Sequence, residues 1–364
     1  MKTNAKKSKK LCKNLESDKD NIINDEENIF NKICPGHIFT PSVYPKQERV
    51  IALGDLHGDL SLTLKYLRLA KVINKNGDWI GKKTFVVQVG DQLDSGREPG
   101  DSYDDDMIND IEVMKYLTEL DLKANKEGGR VISLLGNHEI LNVEGDIRYV
   151  SKNDLTNFNR DGDLQKAKKE RIKSFKPGNE YAKLLGCTRQ SAIIIGNNLF
   201  VHAGITSQFM EDYEVKDIND FYKINDCIRK WLLGMINRDN VSSLLSDYKK
   251  SIFWTRILGS LPADVDVLDE KDKLINEEIC SDYIKKVLDV LKVGNMIIGH
   301  TPQFIYGTNG VNSTCNKKIW RVDIGGSKAF NKYDVSETEK SKNREAHMLE
   351  IINNEKGEKF NIIN

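Results

Sequence analysis

The stretch RVIALGDLHGD, residues 49–59, decides how this chain is read. An apolar run ends on Gly54 and passes directly into Asp55, His57 and Asp59. A short run rich in β-branched residues and closed by glycine reads as a buried strand, and the polar residues beyond it read as the loop at its carboxyl end. The arrangement returns twice. TFVVQVG (84–90) runs into Asp91, Asp94, Ser95 and Gly96, and RVISLLG (130–136) runs into Asn137, His138 and Glu139. Between the runs, SLTLKYLRLAKV (61–72) and DIEVMKYLTELDLKA (110–124) carry apolar residues at helical spacing. Strands alternating with helices predict an α/β protein.

Further along, SAIIIG (191–196) and NLFVHAG (198–204) predict an antiparallel hairpin turning at Gly196–Asn197. Residues 216–238 and 275–292 read as helices, and NMIIGH (295–300) and KIWRVDIG (318–325) as strands. A last hairpin is expected around Glu355–Gly357. The first 46 residues are lysine-rich, then mixed in charge, then punctuated by Pro35, Pro41 and Pro45, and they read as a flexible tail. Residues 47–364 show no repeat or linker and are expected to form a single domain.

Lys+Arg and Asp+Glu are both 55, so the net charge is zero, which removes the electrostatic argument for a nucleic-acid or membrane-surface protein. No run approaches the roughly 18 apolar residues of a membrane span. The N-terminal MKTNAKKSKK lacks the apolar segment of a secretory signal. Six cysteines (Cys12, Cys34, Cys187, Cys227, Cys280, Cys315) are scattered without a CxxC pair. They read as reduced thiols of a cytoplasmic, reducing compartment and do not support a structural zinc site.

Four of the six histidines, His57, His138, His202 and His300, fall in the Gly-bounded strand ends. Open α/β sheets gather such loops into one crevice, so carboxylates, imidazoles and an amide far apart in sequence can meet. That donor mixture suits divalent Mn, Fe or Zn. A carboxylate such as Asp91, offered from a middle strand, can bridge two ions. Two ions about 3.5–4 Å apart clamp an in-line displacement and lower the pKa of a bridging water. Phosphate ester hydrolysis needs this most, because its anionic substrate repels hydroxide. A lone tripeptide such as HAG carries no weight; five such sites in one order do.

GDLHGD, GDQLDSG, GNHE, VHAG and GHT resemble the signature blocks of the phosphoprotein phosphatase group of calcineurin-like metallophosphoesterases. The intervening GNHEILNVEGDIRYVS, RIKSFKPGNEYAKLLG, WTR, MIIGHTPQ and IWRVDIGGSKAF resemble the Shewanella-like (bacterial-like) phosphatase branch, from about residue 49 to 330. The resemblance implies an α/β sandwich of two central mixed β-sheets flanked by helices. It implies that Asp55, His57 and Asp91 hold a first metal, and that Asp91, Asn137, His202 and His300 hold a second. His138 would protonate the leaving oxygen, and Asp94 would orient that imidazole, as an acid working near neutral pH requires.

The family usually carries an arginine where this chain has Ser95, and that arginine grips the phosphate. Losing such a contact costs about 1.5–3 kcal/mol if nothing replaces it. Arg256, in WTR, and Arg148, in GDIRYV, match phosphate-contacting or branch-typical positions of the family; Arg97 is displaced by two residues, which points it elsewhere unless the loop is rebuilt. Residues 98–112 are acidic and read as a solvated loop and helix start, and residues 164–176 as an exposed basic helix.

The expected function is a metal-dependent phosphomonoesterase, a protein serine/threonine or tyrosine phosphatase working by a hydroxide that bridges two divalent ions, with Mn the choice in vitro. The alternatives are a hydrolase of diadenosine tetraphosphate or another small phosphoester, and a weakened phosphatase kept as a binding module. Its partners would be phosphorylated proteins or small phosphoesters, not nucleic acid or membrane; the oligomeric state is left open.

Overall fold

In the computed structural model, residues 22–159, 161–267, 269–334 and 344–364 are described. Among them, strands β1 (Val43–Tyr44), β2 (Arg49–Leu53), β3 (Phe85–Gln88), β4 (Arg130–Leu134), β5 (Arg189–Gln190) and β6 (Ala192–Ile195) are followed by β7 (Asn198–Val201), β8 (Asn295–Ile298), β9 (Asn312–Thr314), β10 (Ile319–Arg321), β11 (Met348–Asn354) and β12 (Gly357–Ile363). They form two six-stranded sheets, ordered β12-β11-β2-β3-β4-β5 and β1-β6-β7-β8-β10-β9.

Both sheets are mixed, as expected. In the first, β2, β3, β4 and β5 run parallel, and β11 and β12 add an antiparallel edge. Parallel neighbours need crossovers, which the helices Leu60–Leu69 and Asp110–Lys126 supply. Each helix starts on a side chain that accepts a backbone hydrogen: Asp59 from Leu62 N and Asn109 from Glu112 N. In the second sheet β7, β8 and β10 run parallel, and β6 and β7 form the expected hairpin, with Ile195 opposite Asn198.

Strand alternation assigns the two faces of the second sheet. Ile193, Ile195, Phe200 and Ile297 pack with Val50, Phe85 and Val87, which share one face of the first sheet, making the core between the sheets. Ile194, Leu199, Val201, Met296 and Ile298 face the other way, into a second core with Leu185, Ile228 and Val287 from the helices Glu180–Thr188, Ile218–Leu232 and Glu270–Leu291.

Three expectations need correction. The tail does not extend to residue 46. Residues Ile22–Ile33 form a helix whose Phe30 is buried against Cys34 and Cys187, and β1 joins the second sheet beside β6. Residues 1–21, with the lysine run, lie outside the described residues. The described cysteines are not reduced thiols: Cys34 is bonded to Cys187 and Cys280 to Cys315, and among the described residues no cysteine is free, while Cys12 lies outside them. Each pair has Cα atoms 5.5 Å apart across sequence separations of 153 and 35 residues, an approach that only chain folding creates. The basic helix, Leu164–Phe175, is not exposed all round: Ala167, Arg171 and Phe175 are buried at a spacing of four. No described helix is long and apolar enough to cross a membrane.

Candidate metal centre and active site

Three strand ends from each sheet converge. β2, β3 and β4 deliver Asp55 and His57, Asp91 and Asp94, and Asn137 and His138, while β7, β8 and β10 deliver His202, His300 and Asp323. All six loops leave the carboxyl ends of parallel strands, where an α/β sheet places its site. They open on a cavity of about 340 Å³ lined by, among others, His57, Asp91, His138, Arg97 and Arg256.

Two of the glycines at these strand ends make room for a carboxylate. A Cβ on Gly136 would sit 2.2 Å from Asp91 Oδ1, and one on Gly299 would sit 2.3 Å from Asp55 Oδ1. The loops are also strained: His57, Asp91, Asp94 and His300 all have left-handed backbones, with φ between 45° and 66°. Such conformations cost about 1–3 kcal/mol each and persist only where surroundings enforce them. Glu139 supplies much of that enforcement. Its buried carboxylate accepts from the backbone N–H groups of Asp91 (2.9 Å), Gln92 (2.8 Å), Leu93 (3.1 Å) and Gly136 (2.6 Å), binding the second loop to the third.

Asp91 sits at the centre. Its Oδ1 accepts from His138 N at 2.9 Å. Its Oδ2 lies 3.9 Å from His57 Nε2, 3.9 Å from His138 Nε2 and 3.4 Å from His202 Nε2. Potential ligand atoms of His57, Asp91 and His138, and of Asp91, His202 and His300, lie within 4.8 Å of one another, with Asp91 common to both groups. Asp55 stands beside them, its carboxylate accepting from His300 N at 3.1–3.2 Å.

The donor set fits cations. His57 Nδ1, His202 Nδ1 and His300 Nε2 lie 3.2, 2.9 and 2.9 Å from the carbonyl oxygens of Leu93, Val89 and Trp254. A carbonyl only accepts, so each of those nitrogens carries the hydrogen and the opposite nitrogen of a neutral ring keeps its lone pair for the site. His202 Nε2 then faces Asn137 Oδ1 at 3.0 Å and Asp91 Oδ2 at 3.4 Å. Three acceptors pointed at one another need either a proton or a metal ion between them. Without an ion a proton is drawn in: burial opposes the charged form of His202, but the Asp91 carboxylate outweighs it and raises the pKa. Burial, then the carboxylates of Asp323 and Asp91, push the Asp55 carboxyl well above its ordinary range. Burial, then the Arg97 charge, pull His57 well below its own, the neutral state a ligand needs.

His138 differs from the other three imidazoles. Its Nδ1 lies 2.7 Å from a carboxylate, Asp94 Oδ2, rather than a carbonyl. Asp94 Oδ1 in turn accepts from Asn142 Nδ2 at 2.7 Å and lies 3.5 Å from Arg171 Nη2. Arg171 also donates to Asn142 Oδ1 at 2.8 Å and makes a two-pronged pair with Asp110. Burial alone would weaken the guanidinium's hold on its proton; the carboxylates of Asp110, Asp94 and Asp154 reverse this.

The arginines sort differently from expectation. Arg256 lines the cavity and donates to His300 O at 2.6 Å. Arg148 does not line it: its side chain is 63% exposed and paired with Asp146 at 2.6 Å. Arg97, expected to point away, does line it. Sequence reasoning missed Arg171, Glu139 and Asp323. Asp323 repeats the pattern already used, an acidic residue directly after a strand, but with its glycine behind rather than before it. Its Oδ2 is buried with no hydrogen-bond partner among the described residues, and it lines the same cavity.

The chain matches the calcineurin-like phosphoesterase family over residues 48–304. It is 35% identical over 227 residues to protein R398 of Acanthamoeba polyphaga mimivirus, covering 58% of this chain and 87% of that protein. It is 28% identical over 320 residues to Shewanella-like protein phosphatase 2 of Arabidopsis thaliana, covering 78% of this chain and 73% of that one. A solved structure of a cold-active protein tyrosine phosphatase has the same fold, with a TM-score of 0.62 at 22% identity over 89% of this chain and 78% of that one.

Proposed function

The chain belongs to the calcineurin-like phosphoesterase family and is a hydrolase of phosphoesters, and from that premise we propose that it removes phosphoryl groups from phosphorylated proteins. The observation that carries the reading is His138. An imidazole tied to a buried carboxylate at 2.7 Å stands 3.9 Å from the Asp91 oxygen around which the other histidines gather. Two divalent ions, when bound by Asp55, His57, Asp91, Asn137, His202 and His300, supply charge neutralisation and a water acidified enough to attack.

The chain's own side chains do the rest. The Nε2–H of protonated His138 gives its proton to the departing oxygen as the phosphorus–oxygen bond breaks and water's oxygen bonds to phosphorus. Asp94, held by Asn142 and Arg171, keeps the imidazole turned toward the leaving group. The products are an alcohol or phenol and inorganic phosphate. The protein-phosphatase name of the Arabidopsis relative supports a protein substrate over a nucleotide.

The test is turnover of para-nitrophenyl phosphate, a phosphopeptide and diadenosine tetraphosphate by metal-stripped protein, with and without Mn²⁺. The reading expects Mn-dependent hydrolysis of the two monoesters. Preferred cleavage of the dinucleotide would replace it with the small-phosphoester function, and no turnover with any divalent ion would leave a binding module.

A further inference from the structure

In the position where the resemblance expects a phosphate-gripping arginine, Ser95 turns away from the cavity. It is fully buried, and its hydroxyl lies 2.7 Å from Ser151 Oγ and 2.8 Å from Asp154 Oδ2. Its backbone N–H also goes to Asp154, at 3.0 Å. The serine itself does not line the cavity.

Two residues on, the chain doubles back. Asp101 Oδ2 accepts from the backbone N–H groups of Arg97 (2.7 Å) and Glu98 (2.9 Å), and Tyr103 donates its hydroxyl to Ser95 O at 2.6 Å. The acidic segment is therefore in part a clamp rather than a solvated loop. It swings the Arg97 guanidinium over the Phe330 ring, with Cζ 4.4 Å from the centroid, where the aromatic face favours a cation. Nη1 is used up, donating to Gly96 O at 2.7 Å and Asp94 O at 3.2 Å. Nη2 is buried and has no partner among the described residues. A buried, unsatisfied donor on a charged group costs free energy unless something fills it. Arg97 lines the same cavity as His57, His138 and Arg256.

We propose that Arg97 replaces the missing arginine of position 95, its Nη2 donating to a non-bridging oxygen of the substrate phosphoryl group across the cavity from Arg256. The proposal rests on the phosphoesterase reading of this cavity. A guanidinium tethered through one nitrogen and stacked on a ring has little conformational freedom left to lose when the anion arrives.

Calorimetric titration of inorganic phosphate into the Mn-loaded full chain tests this without turnover. Relative to the native chain, Arg97→Gln should weaken phosphate about ten- to a hundredfold. Arg97→Lys should fall between the two, keeping the charge and losing the fork. Arg68→Gln, an exposed charge on the helix Leu60–Leu69, should stay within about twofold. A purely structural arginine would lower Tm in Arg97→Gln and leave phosphate affinity unchanged, which overturns the proposal, as does a native chain that binds no phosphate. Should Arg97→Gln fail to fold, Arg97→Lys decides: unchanged affinity there also overturns it. If phosphate binds through Arg97 but no monoester is hydrolysed, the proposed function fails and this inference stands.

Discussion

Arg171 and Asp94, 77 residues apart in sequence, face each other at 3.5 Å as a fully buried ion pair behind His138. The same guanidinium is paired with Asp110, whose carboxylate also accepts from Asp94 N at 3.1 Å. One cation thus fixes both the side chain and the backbone of the residue that orients the proposed acid. Replacing Arg171 with Met strands two buried carboxylates, so the loss of stability should be about 3–5 kcal/mol. Urea unfolding reads this, and a change under about 1 kcal/mol would mean the pair carries no structural weight.

His138 is close enough to Asp91 to be counted as a metal ligand, and metal content separates that from an acid role. His138→Ala should keep the metal stoichiometry of the native chain and lose about 10²–10⁴-fold in kcat on an alkyl phosphate. The loss should be smaller on para-nitrophenyl phosphate, whose leaving group needs less protonation. His202→Ala, by contrast, should lower the metal content itself. Metal loss in His138→Ala would assign it to the ligand set instead.

Asp323 gives a pH dependence of known sign. Burial above all, with the Asp91 charge, raises its carboxyl from 3.8 to about 6, against the opposing pull of Gly325 N and Arg256. Between those values the folded metal-free chain binds more protons than the unfolded one, so stability falls as pH rises through the window and stays reduced above it. Asp323→Asn should therefore stabilise the metal-free chain at about pH 7.5 by roughly 2–3 kcal/mol and by little at about pH 4. Thermal unfolding of the two proteins at both pH values checks this; a difference independent of pH contradicts it.

The Cys34–Cys187 bond ties the helix Ile22–Ile33 to the helix Glu180–Thr188 across 153 residues. A loop that long, left open in the unfolded chain, costs about 2–5 kcal/mol. Cys34→Ser should lower the unfolding midpoint by a matching amount. The phosphate affinity should be unchanged, since this bond does not line the cavity. A midpoint insensitive to the substitution would show that packing of Phe30 alone holds the helix.

Arg171 shows why part of the site was hidden. Residues 164–175 carry so much charge that they read as a solvated helix, yet Ala167, Arg171 and Phe175 share one face at helical spacing. An arginine between two apolar residues on that face was the available signal, and charge density masked it. Arg97 was misread for a different reason. Its position depends on Asp101 and Tyr103 folding the loop back, and such a contact has no period to reveal it.

The strand ends were legible because their chemistry is local. An apolar run dictates a buried strand, and a glycine beside a carboxylate or imidazole dictates a tight turn that presents it, as Gly136 and Gly299 show. Which donors meet is not local. Asp91 Oδ2 became the shared point of His57, His138 and His202 because two sheets aim the carboxyl ends of three parallel strands each at one crevice. Arg171 behind Asp94, Asp323 beside Asp55 and the pairing of Cys34 with Cys187 arose in the same way. Contacts between residues dozens to hundreds of positions apart are set by packing in three dimensions, and nothing in the neighbouring sequence of either partner encodes them.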